Sequence, residues 1–173
     1  MISVVIETFN AGETLSATLT ALVPAAVSNL VREVVIADAG STDETLEIAE
    51  DAGATVVKGK VAAGAGAAKG PWLLFLHPAS RLGAEWEAAA RDHLEHHATE
   101  AGYFRLALDD HRAGARLKEA WAGLQTTLAG GPSPAHGLLV SKRLYDEVGG
   151  EVGLARGLKG RLRPLAARVF AGS

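Results

Sequence analysis

Residues 34–57 read VVIADAGSTDETLEIAEDAGATVV, and the order of apolar and polar positions in this stretch decides the fold. Val34, Val35 and Ile36 form a continuous apolar run that ends at Asp38, the pattern of a strand buried on both faces. The polar turn Ala39-Gly40-Ser41-Thr42-Asp43-Glu44 then opens a helix. Leu46, Ile48, Ala49 and Ala52 are expected to face inward, and Ser41 with Glu44 three residues on has the spacing of a capping box. Gly53 stands where a helix end takes a left-handed residue, and Thr55-Val56-Val57 follows as a further strand. Strand, helix, strand in that order is a βαβ unit, whose strands are parallel.

The same alternation extends in both directions. Upstream, Val4, Val5 and Ile6 make a strand before the turn Thr8-Phe9-Asn10, and Leu15, Leu19, Leu22 and Val23 recur at helical spacing. Downstream, residues 61–70 (VAAGAGAAKG) are weakly helical, and Trp72-Leu73-Leu74-Phe75-Leu76 is a fully apolar run expected to be the central strand. A helix over 84–99, a strand over 103–108, a helix over 116–128, a break at 130–134 and a last core strand over 137–140 complete the reading. The expected architecture is one α/β domain over 1–173, with a mainly parallel, Rossmann-like sheet flanked by helices. Ligands are then expected beyond the carboxyl ends of the strands, at the turns after Ile6, Ile36 and Leu76.

Composition narrows the function classes. The 173 residues are 48% hydrophobic and 21% charged, enough for one packed core and unlike a disordered chain. A net charge of −3 removes the broad basic footprint of non-specific nucleic-acid binding, so no nucleic-acid partner is expected. There are no cysteines, which excludes disulfides and thiolate metal sites. The N-terminus lacks the basic and small-residue regions of a signal peptide, and no apolar stretch approaches the roughly 20 residues of a membrane span. The expected location is cytoplasmic.

Three strand-end turns carry the chemistry: Thr8, Asn10 and Glu13; Asp38, Ser41 and Asp43; His77, Ser80 and Arg81. Each has a structural explanation too: Asn10 as an Asx turn, Ser41 and Asp43 as cap and first-turn charge, Arg81 as a surface cation. Asp38 is the strongest candidate, because a carboxylate directly after an apolar strand lies where parallel sheets place ligands. Other clusters read as structure. Gly64 to Gly70 lacks the phosphate-loop pattern and fits a closely packed helix. His93, His96 and His97 fit a solvated helix face, with His93 and His97 at the i,i+4 spacing of a metal pair, and Asp109-Asp110-His111 fits a turn.

Taken together, VVIETFNAGETL, then EVVIADAGSTDETLEIAEDAGATVV, then GPWLLFLHPASRL resemble the opening landmarks of family 2 inverting glycosyltransferases, and GLLVSKRLYDEVGG at 137–150 is similar to that family's acceptor-side segment. The resemblance implies a GT-A fold, with residues 1–85 as the nucleotide-binding half and 86–173 as a shortened acceptor-side half. It implies a nucleotide-diphosphosugar donor, UDP-sugars included, and an unidentified hydroxyl acceptor. Thr8 and Asn10 would lie against the nucleotide, Asp38 would accept from the base's imide N–H, and Glu13 and Asp43 would line the base and ribose. Glu151 aligns with the general base. Lys58, Lys60 and Lys69 are the cations of the shortened phosphate region, with Arg81 as a further substitute cation. Two departures stand out. Glu7 replaces a proline, and His77-Pro78-Ala79 replaces the D-x-D or H-A-D motif, whose second Asp holds Mg²⁺ or Mn²⁺. No metal ligand is therefore assigned. The resemblance supports two expectations: sugar transfer with inversion, or a non-catalytic relative with a vestigial nucleotide cleft that acts through a protein partner. The shortened half leaves the acceptor side open or covered by a second subunit, so a homo-oligomer remains among the expectations.

Overall fold

The computed structural model describes residues 1–107 and 136–171. Its elements are β1 (Ile2–Thr8), α1 (Gly12–Val27), β2 (Val31–Asp38), α2 (Thr45–Asp51), β3 (Thr55–Lys58), α3 (Val61–Ala67), β4 (Trp72–Leu76), β5 (Ser80–Leu82), α4 (Trp86–His96), β6 (Ala101–Ala107), β7 (His136–Ser141), α5 (Lys142–Glu147), α6 (Gly150–Gly157) and β8 (Leu162–Ala171). The eight strands form one sheet in the order β3-β2-β1-β4-β7-β6-β8-β5. The pairs β2–β3, β1–β2, β1–β4 and β6–β8 are parallel, while β7 and β5 run against their neighbours. Six of the eight strands therefore share a direction, as the alternating pattern predicts.

Every residue of β4 is buried, which fits its wholly apolar sequence and its place between β1 and β7. One face of the sheet packs Ile2, Val4 and Ile6 against Leu15, Leu19 and Leu22 of α1; the other packs Val5, Leu73 and Phe75 against Ala65 of α3 and Leu144 and Tyr145 of α5. Gly64 lets α3 lie directly on β1, since a Cβ there would come within 2.6 Å of a Val5 methyl and 3.2 Å of Ala37. The glycine-rich stretch is thus a packing device, as expected.

The sheet curls. Laid flat, four inter-strand steps of about 4.8 Å would put β5 about 19 Å from β4. The chain from Leu76 to Ser80 reaches at most about 14 Å. β5 accordingly returns over α1, where the Thr18 hydroxyl lies 2.7 Å from the Pro78 carbonyl oxygen and 3.0 Å from that of Ser80.

Several expectations are corrected. Ser41 and Glu44 form no capping box: α2 begins after Glu44 without a side-chain cap, because the Ser41 hydroxyl is directed to Asp38. Ala52 and Val23 are exposed. β7 is followed by β8, so 137–140 is not the last core strand, and β5 is an additional strand. Gly53 takes the expected left-handed conformation, with φ of 71°. His93 is fully buried, not solvated; its ring meets Trp72 edge-on at 5.7 Å and its Nε2 lies 3.2 Å from the Glu100 carbonyl oxygen. The helix expected over 116–128 and the Asp109-Asp110-His111 turn lie outside the described residues.

Two outcomes follow from this packing. Gly64→Ala should destabilise the protein by about 1–2 kcal/mol in urea unfolding, because the buried Val5 and Ala37 cannot yield. Gly66→Ala on the same helix meets nothing within 4 Å and should stabilise by about 0.5–1 kcal/mol. Burial also pushes the His93 imidazole below the ordinary histidine pKa. The neutral ring is the folded form, so its stabilising contribution is complete above about pH 6.5 and is lost as pH falls below that value. Thermal melts between pH 5 and 7.5 should show this slope, and His93→Gln should flatten it.

Candidate functional site

Because β2, β1 and β4 are parallel neighbours, their carboxyl ends emerge along one edge, with Thr8 level with Asp38 and Ile6 level with Leu76. Two strand spacings put the His77 turn about 10 Å from Asp38. The three turns singled out in the sequence thus share this edge.

The first two turns are cross-linked through Asp38. Its Oδ1 accepts hydrogen bonds from the hydroxyls of Thr8 (3.0 Å) and Ser41 (2.5 Å), and its Oδ2 accepts from the backbone N–H groups of Gly40 (2.8 Å) and Ser41 (2.9 Å). Asn10, at a left-handed φ of 50°, donates its backbone N–H to the Ser41 hydroxyl and accepts from the Thr42 N–H through Oδ1. Asp43 accepts from the Gly12 N–H, and Thr45 accepts from the Ala11 N–H. The start of α1 is therefore capped by side chains of the neighbouring turn rather than by its own residues.

This lattice sets the electrostatics. Burial alone pushes the Asp38 carboxyl up, but the hydrogen bonds from Ser41, Gly40 and Thr8 outweigh it and hold the pKa below the ordinary aspartate value. The Thr45 hydroxyl and the Gly12 N–H hold Asp43 low as well. A carboxylate has about four acceptor positions, and all of those on Asp38 are taken from within the protein.

The remaining sequence candidates are distributed around this lattice. Glu13 is exposed in the first turn of α1, outside the lattice. Lys58 ends β3 level with Asp38, and Lys60 precedes α3; both are exposed. Glu7 continues β1, and its carboxylate accepts from the Val61 N–H at the start of α3. Arg81 is exposed on β5. Glu151 lies in the first turn of α6, lining a cavity of about 350 Å³ with Ala62, Ala65, Tyr145 and Lys142; no residue of the Asp38 lattice lines that cavity. Phe9, absent from the candidate residues, is 64% exposed between Thr8 and Asn10, and its signal was an aromatic residue within a polar turn. Thr45 was also missed, although it closes the Gly-Ser-Thr-Asp-Glu-Thr run.

Hydrogen bonds within the His77 turn close it. The Ser80 N–H donates to the His77 carbonyl, the His77 N–H to the Ser80 hydroxyl and the Ala79 N–H to His77 Nδ1. With Nδ1 as acceptor, the neutral ring carries its proton on Nε2. Ala79 offers no ligand atom. Among the described residues no group of three His, Asp or Glu could hold a metal ion. The residues present therefore do not fit the divalent cation that the D-x-D motif implies.

The curled α/β domain, with six codirectional strands and its turns gathered at one edge, is a GT-A fold. Residues 3–78 match the model of glycosyl transferase family 2. Sequence comparison with curated proteins finds no match. Similar solved structures include glucosyl-3-phosphoglycerate synthase from Mycobacterium tuberculosis, at TM-score 0.64 and 19% identity over 95% of this chain and 69% of that one. Mannosyl-3-phosphoglycerate synthase from Rubrobacter xylanophilus gives TM-score 0.66 and 14% identity over 95% and 64%. S. aureus TarS 1–349 gives TM-score 0.69 and 16% identity over 99% of this chain and 58% of that one. No helix among the described residues is long and apolar enough to cross a membrane.

Replacing one Asp38 oxygen by an amide puts N–H against N–H or O–H. Asp38→Asn should therefore lower stability by about 1–3 kcal/mol at pH 7 in urea unfolding. The contribution of Asp38 is present above the ordinary aspartate pKa of about 3.9 and is lost on acidification below it, so the variant should also show a shallower acid limb.

Proposed function

We propose that the chain binds a nucleotide-diphosphosugar, with UDP-sugars as the first candidates, along the edge formed by the turns after β1, β2 and β4, and transfers the sugar to a hydroxyl acceptor with inversion. The observation that carries this reading is Asp38, a carboxylate held ionised at the strand-end position and hydrogen-bonded to Thr8 in the same lattice as Asn10. Further support comes from structures of similar fold: the mycobacterial synthase has been seen with Mn²⁺ and UDP, and TarS with UDP-GlcNAc.

In this reading the imide N–H of the base takes the place of the Thr8 or Ser41 hydroxyl at Asp38 Oδ1, since either hydroxyl can rotate to another acceptor. Asn10, Glu13 and Asp43 line the base and ribose, and the exposed Phe9 ring offers a face for stacking. Glu151 removes the proton from the acceptor hydroxyl as its oxygen attacks the anomeric carbon. The bond to the diphosphate breaks with its electron pair leaving on the nucleoside diphosphate. No step runs through a metal, and Lys58, Lys60 and Arg81 supply the positive charge for the leaving group.

A second reading, a non-catalytic relative acting through a protein partner, is favoured by the complete internal use of Asp38's acceptor positions and by Ala79. Calorimetric titration with UDP and GDP, with and without Mn²⁺, separates the two. The expected result is UDP binding indifferent to Mn²⁺, with Ala79→Asp adding about 1–3 kcal/mol in the presence of Mn²⁺ only. Sugar transfer should be lost in Glu151→Gln while UDP binding is retained. Absence of binding by either nucleotide overturns the first reading and favours the second.

A further inference from the structure

A concavity of about 700 Å³ lies away from the Asp38 lattice, on β6 and β8 with the segment Gly83–Glu85 as its wall. Arg105 and Arg168 line it, and they are level with each other on these parallel neighbouring strands. Adjacent strands are about 4.8 Å apart, so two exposed arginine side chains leave the sheet side by side. Like charges directly opposite each other on a sheet are unfavourable unless something neutralises them.

Nearby arginines show how this protein neutralises such groups. Arg163 donates to Glu100 at 2.6 Å, and Arg161 to Glu147 at 3.0 Å. Among the described residues, neither Arg105 nor Arg168 is within ion-pair distance of a carboxylate, and Glu85 on the opposite wall pairs with neither. The surface beside them is apolar, with Pro164, Ala166 and Phe170 on the same outer face of β8.

We propose that Arg105 and Arg168 form a binding site for a small molecule carrying a phosphate monoester, with its carbon skeleton against Ala166 and Phe170. Two guanidinium forks match the dianionic, multiply accepting phosphate in charge and geometry, whereas one carboxylate would balance only half their charge. The site stands independently of the donor reading, and failure of UDP to bind elsewhere leaves it intact.

Calorimetry on the full chain with glycerol 3-phosphate, glycerol and UDP as probes tests the proposal. Glycerol 3-phosphate should bind, glycerol should not, and affinity should fall with added salt. Arg105→Gln and Arg168→Gln should each weaken glycerol 3-phosphate binding by about tenfold or more. Both variants should melt at or above the wild-type temperature, since each removes a like-charge repulsion. The proposal is overturned if glycerol 3-phosphate does not bind, or binds equally well to both variants. It is also overturned if the variants lose affinity for UDP alone, which would assign the arginines to the donor's diphosphate.

Discussion

The hydrogen bonds that converge on Asp38 fix more than their own turn. Parallel strands leave each connecting loop to satisfy its own backbone groups, and β1 and β2 resolve this jointly: Thr8 and Ser41 donate to one carboxylate, and Asn10 bridges back to Ser41 and Thr42. Asp43 and Thr45 then cap α1 from the neighbouring turn. The helix so positioned carries Thr18, whose hydroxyl holds the Pro78 and Ser80 carbonyls. A mechanical chain therefore runs from Asp38 through α1 to β5, and all three strand-end turns are referred to one buried anion.

Where the sequence departs from the glycosyltransferase pattern, ordinary turn and cap chemistry takes over. Glu7 occupies the start of α3, where the Val61 N–H would otherwise lack a partner. The His77–Ser80 turn closes on itself through four consecutive residues and presents a methyl group where the motif has a carboxylate. These substitutions leave the edge folded and change only what it can hold.

The parallel half was legible because its signals are local. Apolar runs at 34–36 and 72–76, the left-handed Gly53 and the helical spacing of Leu15, Leu19 and Leu22 each fall within a few residues. β5 was not legible, since Ser80-Arg81-Leu82 is too short to show a period. β8 does alternate, with Leu165, Ala167 and Val169 buried, but Pro164 and small alanines obscure it. The Ser41–Glu44 spacing misled because the competing acceptor, Asp38, acts from across the turn. His93 misled because its polarity hides a burial set by Trp72 and Gly102. In the site, Thr8, Asn10 and Asp38 could be read from strand ends, whereas the adjacency of Arg105 and Arg168 exists only through strand pairing.

The pairing of β5 with β8 joins Ser80 to Ala171, across nearly the whole second half of the chain. The strands β3-β2-β1-β4 need nothing beyond Leu76 to assemble, so they can nucleate early on local contacts. Closure of the curl cannot occur until the last strand has emerged, and β5 keeps an unpaired edge in the meantime. The fold is thus completed by its least local contact, and during synthesis the growing chain carries an open strand edge of the kind that chaperones recognise and that self-association exploits.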